Sequence, residues 1–347
     1  MLLSKSFKQA TCNLRLINLS DGVSGQQKAD TVMIYSRQTT SHMHKLPNGV
    51  TFFERGWLSS NNVLIQHEEE ALLVDTGYWT HAHQTASLVT SVLQNQPLTS
   101  IVNTHLHSDH CGGNSYLQHL FPAISTFIPP GHASFVEDWN AEVLTYTPTG
   151  QHCPKFTKSG LLSNDDCLLS GDASWRVYSA PGHDPHSIIL FNELEGILIS
   201  ADALWENGFG VVFPEIDGIQ AFDEVEATLQ IIEQLNPKLV LPGHGSSFTD
   251  ICGALKRART RLAQFKASPE KHSLYAAKVL LKFKLLELQK IKYLDYVAWA
   301  NSANYLHLLH TNYEKAIEFD AWILDMCKSL EKSGACLFVD QYIVNIN

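Results

Sequence analysis

Seven side chains in this 347-residue chain, each able to bind a divalent metal ion through nitrogen or oxygen, stand at the spacing of a two-metal hydrolase, and none of them is a cysteine. Four fall within six residues: His105, His107, Asp109 and His110, in the run Thr104-His-Leu-His-Ser-Asp-His-Cys-Gly-Gly113. Three stand apart, at His183 in Pro-Gly-His, Asp202 in Ser-Ala-Asp and His244 in a second Pro-Gly-His. On one tight loop, alternate residues project to one side. His105 and His107 can therefore grip one ion while Asp109 and His110 turn towards a second. A structural zinc needs only four ligands and usually takes cysteines. A carboxylate has two oxygens and can bridge two cations, which makes Asp202 the expected bridge. Two adjacent divalent ions turn water into hydroxide at neutral pH, so the chemistry to expect is hydrolysis.

Such ligands need rigid elements to hold them, and the pattern supplies strands that end on them. Short strands are expected at 50–53, 62–66 and 71–75, the last ending in Asp75-Thr-Gly77. Apolar positions Ala82, Ala86, Val89 and Leu93 predict a helix over about 80–94. Ile101-Val102-Asn103 reads as a buried strand delivering the histidine run, and Gly112-Gly113 opens a helix over 114–120. Residues 128–165 carry Pro129-Pro130, Gly131, Pro148, Gly150 and Pro154, with one helix expected at 132–143. With Trp139, Tyr146 and Phe156, this stretch is either a cap over the site or a surface insertion. Strands resume at 174–179, 188–191 and 197–201, the last running into Asp202. A helix over 221–235 and a strand at 239–241 lead to Pro242-Gly243-His244. The glycine before each lone histidine lets the backbone approach closely. Two sheets packed together with helices outside are expected.

Charge divides the chain near residue 250. Residues 1–250 hold 11 Lys and Arg against 26 Asp and Glu, a net of −15; residues 251–347 hold 14 against 9, a net of +5. A domain boundary there is expected, with the basic part docked on the acidic one or, less favoured, touching nucleic acid. Helices are predicted at about 251–266, 272–289, 294–309 and 317–333, then strands at 336–339 and 342–346. Helices followed by a β-hairpin resemble a winged-helix domain. Residues 1–45 are polar and aperiodic, an N-terminal extension in which Met43 is an alternative start. Residues 1–10 lack the apolar core of a secretory signal, and no apolar run approaches membrane-spanning length. Seven irregularly spaced cysteines without a CxxC pair suit a reducing, cytoplasmic setting.

Five segments in order, Asp75-Thr-Gly, His105-Leu-His-Ser-Asp-His110, Gly182-His183, Asp202 and Gly243-His244, resemble the metallo-β-lactamase superfamily across residues 50–250. The resemblance implies an α+β fold, a four-layer αββα sandwich over 46–250 followed by a small mainly helical, winged-helix-like domain over 251–347. It implies His105, His107 and His183 on a first zinc, Asp109, His110 and His244 on a second, Asp202 as the bridge, and Asp75 as a supporting residue behind the ligands. Two Zn2+ are the expected cofactors, with Mn2+ or Fe2+ as alternatives. The absence of cysteine at the Asp202 position argues against those true β-lactamases that use one there. The lack of a His-x-Glu-x-Asp form argues against the redox members. Among the remaining branches, broad hydrolases with an added carboxy-terminal helical domain fit best. In that chemistry a hydroxide between the zincs attacks a carbonyl carbon, and Asp109 orients it and passes its proton to the leaving group.

The expected function is hydrolysis of a small ester, thioester or lactone, so the expected partner is a small-molecule carbonyl substrate. Phosphodiester cleavage in RNA or DNA is the alternative, disfavoured by the −15 of the metal-bearing part. A non-catalytic binding protein retaining the fold is the third reading. Trp205, Phe209 and Phe213 are candidates for an apolar substrate wall. Cys111 reads as a small buried residue, His186 as a hydrogen-bonding or surface group, and His81 and His83 as solvent-facing. Lys155 and Lys158 are the only cations placed to meet a glutathione carboxylate, which weakens a glyoxalase II reading.

Overall fold

Apolar residues on both faces of successive strands dictate the arrangement, because such strands must be covered on both sides. In β3 (Asn62–His67), Val63 and Ile65 point one way and Leu64 the other, and all three are buried. A computed structural model describes residues 33–35, 46–169, 174–313 and 316–346. Two sheets carry the fold. The first has seven strands in chain order: β1 (Met33–Tyr35), β2 (Val50–Glu54), β3, β4 (Glu70–Val74), β5 (Ser100–Val102), β6 (Ser125–Ile128) and β7 (Gly160–Leu161). Its first four strands are antiparallel neighbours, and β4 through β7 run parallel. The second contains β8 (Cys167–Leu168), β9 (Trp175–Ser179), β10 (Ile188–Asn192), β11 (Ile197–Ala201) and β12 (Leu239–Pro242), in reverse order from β12 to β8.

Alternation along the strands builds three apolar layers. Phe52, Val63, Ile65, Val74, Val177, Leu190, Ile199 and Leu241 fill the space between the sheets. The opposite face of the first sheet, with Phe53, Leu64, Leu73 and Ile101, packs on α1 (Ala82–Leu93) and on Leu117 of α3 (Asn114–Leu120). The outer face of the second, with Ile189, Leu198 and Val240, packs on α6 (Phe222–Leu235) and α7 (Ile251–Ala267). The result is the expected αββα sandwich. Between these helices lie α2 (Ser108–Cys111), α4 (Ala133–Asp138) and α5 (Phe213–Ile216).

Packing does not break where the charge breaks. Residue 250 caps α7, whose Ala254, Leu255, Ala258, Leu262 and Phe265 lie in the sandwich's own core. The next core is built from α8 (Pro269–Leu288), α9 (Tyr293–Ala300), α10 (Asn304–Tyr313), α11 (Phe319–Lys332) and a sheet ordered β13 (Lys290–Lys292), β15 (Tyr342–Asn345), β14 (Cys336–Val339). Val211 and Ile216 join it from the second sheet's loops.

Several element boundaries differ from expectation. The helix expected over 294–309 is two helices, because Asn301 ends the first: its amide donates to Val297 O and Asp320 Oδ1. The helix expected at 132–143 stops at Asp138, where Trp139 takes a left-handed φ of 53°. The short strands β6, β7, β8 and β13 were not expected; they are two to four residues long and exist through pairing. The extension expected over residues 1–45 lies outside the described residues except for β1. No described helix is long and apolar enough to cross a membrane.

Ile101 is fully buried in the strand that feeds the histidine run. Ile101→Ala should lower the unfolding free energy by about 2–5 kcal/mol. Urea denaturation followed by circular dichroism tests this, and an unchanged midpoint would contradict the packing described.

Candidate metal centre

All seven side chains come together at the carboxyl ends of strands. Those ends are rigid, and the loops that leave them are free to carry polar groups. The end of β5 leads through Asn103 and Thr104 to His105 and His107, and α2 then presents Asp109 and His110 in a single turn. β9 leads to His183, β11 to Asp202 and β12 to His244. A Cβ on Gly243 would sit 2.3 Å from Asp202 Oδ1, so only glycine lets the β12 loop lie against the carboxylate.

Three imidazoles form one group. His105 Nε2 lies 3.1 Å from His107 Nδ1, His107 Nδ1 2.9 Å from His183 Nε2, and His183 Nε2 3.3 Å from His105 Nε2. Around a tetrahedral zinc with Zn–N bonds near 2.0–2.1 Å, ligand nitrogens are separated by about 3.3–3.4 Å. The triangle is nearly that edge length. A second group holds Asp109, His110 and His244, with His244 Nε2 at 3.1 Å from Asp109 Oδ2. Asp202 stands between them. Its Oδ1 is 3.4 Å from His110 Nε2, and its Oδ2 is 3.4 Å from His183 Nε2 and 3.8 Å from His244 Nε2.

The outer nitrogens decide where the lone pairs point. His183 Nδ1 meets the Val211 carbonyl, which only accepts, so the proton is on Nδ1 and Nε2 carries a lone pair. His110 Nδ1 donates to Asp75 Oδ2 at 2.8 Å, so Nε2 is the nitrogen that offers a lone pair when the ring is neutral. That Nε2 is buried and makes no hydrogen bond among the described residues. Lone pairs and two carboxylates thus face one another in a buried space, an arrangement that a divalent cation satisfies and that hydrogen bonding alone leaves unmet. The donor set fits a metal.

Charge states agree with this. Burial lowers the pKa of His105, and the neighbouring His110, His107 and His183 add to it. Burial and His183 push His107 down to about 4, and burial lowers His183. For Asp202, burial opposes ionisation, but His244 and His110 outweigh it and hold the carboxyl well below its usual range. Asp109 is lowered too, against burial, by His110 and His244. His110 is the exception. Burial disfavours its charge, yet Asp75, Asp202 and Asp109 raise its pKa well above the ordinary value. Without a cation, the proton is what balances those carboxylates.

Asp75 stands directly behind the candidate ligands. It takes φ 58° at the end of β4 and accepts from Thr104 N at 2.9 Å, Thr104 Oγ1 at 2.8 Å and His110 Nδ1. Of the candidate substrate wall, two members stand at the centre. The Phe213 ring is 4.6 Å from His107 and 5.7 Å from His183. Trp205 lies edge-on to His244 at 5.4 Å and donates from Nε1 to Asp202 Oδ1 at 3.2 Å. Phe209 is core, fully buried against Phe265.

Two contributors had little signal in the sequence. Trp57 stacks flat on His244, with ring centroids 5.3 Å apart and planes 3° apart, while 56% of it remains exposed. Asn61 ties the site's loops together: its amide donates to Pro242 O and Gly245 O, and its backbone N to Gly243 O. The buried polar run Ser59–Asn62 before an apolar strand was the available sign.

The stretch 128–165 buttresses the centre from behind. Tyr146, Phe156 and Trp139 pack with Leu106 and Cys111 beneath the histidine run, and Ser108 Oγ donates to Gln151 Oε1. Cys111 is buried beside the Tyr146 hydroxyl with its thiol pKa raised by burial, the small buried residue expected. His186 pairs ring to ring with His132 at 4.5 Å. His83 is exposed, whereas His81 Nδ1 is hydrogen-bonded to Ser59 Oγ at 2.8 Å. Lys155 is exposed, and Lys158 is held by Glu137 at 2.6 Å.

Comparison with known proteins agrees with this geometry. Residues 55–244 match the family model described as Metallo-beta-lactamase superfamily. A crystal structure of a metallo-beta-lactamase family protein from Thermus thermophilus is 20% identical and superposes with a TM-score of 0.50, covering 87% of this chain and 100% of that one. A hydroxyacylglutathione hydrolase of Xanthomonas campestris pv. campestris (strain B100) is 24% identical over 225 residues, 64% of this chain and 75% of its own length. A protein of Aquifex aeolicus (strain VF5) is 27% identical over 145 residues, 41% of this chain. There the chain spans 63% of the relative's length, under two thirds.

Two predictions follow from the protonation pattern. Because the His110 pKa is raised, a proton competes with metal at its Nε2 at a pH where His105, His107 and His183 are already neutral. Metal affinity should therefore fall with decreasing pH through the neutral range; chelator competition between pH ~5 and ~8 measures this, and a flat profile contradicts it. Asp75→Asn removes the charge behind His110 and should weaken metal binding roughly 10–100-fold. The same titration tests it, and wild-type affinity in the variant would refute the supporting role.

Proposed function

The chain belongs to the metallo-β-lactamase superfamily, and on that premise we propose that it is a hydrolase with two divalent ions, zinc in the first instance, acting on a small ester, thioester or lactone. One observation carries this reading: Asp202 lies between two groups of converging ligand atoms, with one oxygen towards His110 and the other towards His183 and His244. In this reading His105, His107 and His183 hold the first ion, Asp109, His110 and His244 the second, and Asp202 both. When bound, the ions supply Lewis acidity and make hydroxide available at neutral pH.

The protein's own residues do the rest. Asp109, kept ionised, stands at the edge of the centre with Oδ2 turned to His244. It accepts the proton of the attacking water and returns it to the leaving group. Trp57, Trp205 and Phe213 give the entrance apolar walls, which favour an acyl carbon skeleton and exclude water around it. No lysine or arginine is hydrogen-bonded to or ring-stacked on the seven side chains among the described residues. That weighs against an anionic substrate, and so does the −15 carried by residues 1–250. Phosphodiester cleavage remains the second reading, favoured only by the +5 of residues 251–347.

We also read α8–α11 with β13–β15 as winged-helix-like, supported by the terminal hairpin and by β13, which pairs with β15 as a third strand. The six described cysteines are free, which supports a reducing compartment such as the cytoplasm.

Purified protein should carry close to two equivalents of zinc, as the two ligand groups require, and Asp202→Ala should lose at least one. Elemental analysis decides this, and a well-folded protein that takes up no metal sinks the proposal. A panel of lactones, thioesters, aryl esters, β-lactams and phosphodiesters, run with and without chelator, then separates the readings. Turnover confined to phosphodiesters would replace the first with the second.

A further inference from the structure

One planar peptide unit lies between the candidate metal centre and the C-terminal helices. Its two ends are the Val211 carbonyl and the Val212 N–H, which point in opposite directions in a trans peptide. The carbonyl faces inward and accepts Nδ1–H of His183. The N–H faces outward and donates to Nε2 of His272, on α8, at 3.1 Å. The flanking residues hold the same segment against the centre. Gly210 N donates to Asp202 O at 2.9 Å and Phe213 N to His183 O at 3.1 Å. A Cβ on Gly210 would sit 2.4 Å from His183 Nδ1, so the backbone lies directly against the imidazole.

His272 is well placed to fix that unit. It is buried, with Phe222 at 5.4 Å and Phe265 at 5.1 Å edge-on to its ring. Burial pushes its pKa down to about 4, so the ring is neutral and Nε2 is available to accept. Tyr305 of α10 reinforces the same segment, its ring 5.9 Å from Phe213. Both residues lie beyond residue 244, where the family match ends.

We propose that His272 is a positioning residue for the candidate metal ligand His183, acting through the 211–212 peptide. Rotating a rigid peptide at one end rotates it at the other, so the acceptor that sets the tautomer and tilt of His183 is held from α8. The C-terminal helices are then part of the metal centre. The inference rests on the two-metal reading above.

The test compares variants by metal titration rather than turnover. His272→Leu keeps an apolar group of similar bulk between Phe222 and Phe265 but removes the acceptor. It should weaken binding of one zinc equivalent about tenfold in chelator competition, leave the other unchanged, and alter the visible spectrum of the cobalt-substituted protein. His272→Gln, whose amide oxygen can take the Val212 N–H, should restore both affinity and spectrum. A Leu variant with wild-type affinities and spectrum overturns the proposal, even if its melting temperature falls. If the Leu variant does not fold, Gln and Asn give the same comparison, because both bury an amide and only Gln reaches Val212. Equal affinities for that pair overturn the proposal. Wild-type protein that binds no metal overturns the two-metal reading as well; wild-type binding with an unaffected Leu variant overturns this inference alone.

Discussion

The carboxylate of Asp75 is the contact on which the rest of the centre depends. It ends β4 in a left-handed conformation and takes three donors, two from Thr104 and one from His110. Those donors belong to the loop that leaves β5, the parallel neighbour of β4. A single buried charge thus fixes the spacing of two strand ends and the orientation of one candidate ligand. It is also the strongest of the three carboxylates that, against burial, raise the pKa of His110. A strained backbone and a buried carboxylate are both unfavourable in isolation. They persist here because sheet pairing on one side and the histidine run on the other overdetermine the position.

The candidate ligands were legible as a group because few other arrangements place three histidines and an aspartate within six residues, and because the lone candidates each end an apolar run. The long strands were legible for a related reason. β3, β4, β10 and β11 bury both faces and read as continuous apolar stretches. The rest depends on distant pairing. β7 and β8 have two residues each and no periodicity to detect. Asn61 reaches across 181 residues to Pro242, a contact that neither segment announces. Trp57 would pass for a surface tryptophan until His244 is placed beneath it. Phe209 and Phe213 look alike in sequence, and only the turn between them separates a core ring from one at the centre.

The charge break near residue 250 does not coincide with a break in packing at α7. Charge is a surface property, whereas a domain boundary is a property of packing. α7 opens the basic part of the chain, yet its apolar face completes the sandwich. Two of its five cations are held by the acidic helix beside it. Arg259 pairs with Glu226 and Glu233, and Lys266 with Asp223, all on α6. Two more arginines hold backbone of the loop that follows Asp202: Arg257 donates to Glu206 O and Arg261 to Phe209 O.

Exposed ion pairs of this kind stabilise by little, about 0–1 kcal/mol each, so their importance lies elsewhere. They direct α7 to one face of the sandwich and leave less positive field to attract a polyanion. Further along, Lys282 is enclosed by Ala335 O, Asn345 Oδ1 and Ile346 O, and Lys284 pairs with Glu287. Three cations of residues 251–347, Arg257, Arg259 and Lys266, pair with carboxylates of the preceding part. Electrostatics of that form argues for a C-terminal region that clamps the loop after Asp202 from behind. The walls at the centre are then aromatic, and the carboxylates of Asp109 and Asp202 stand within it.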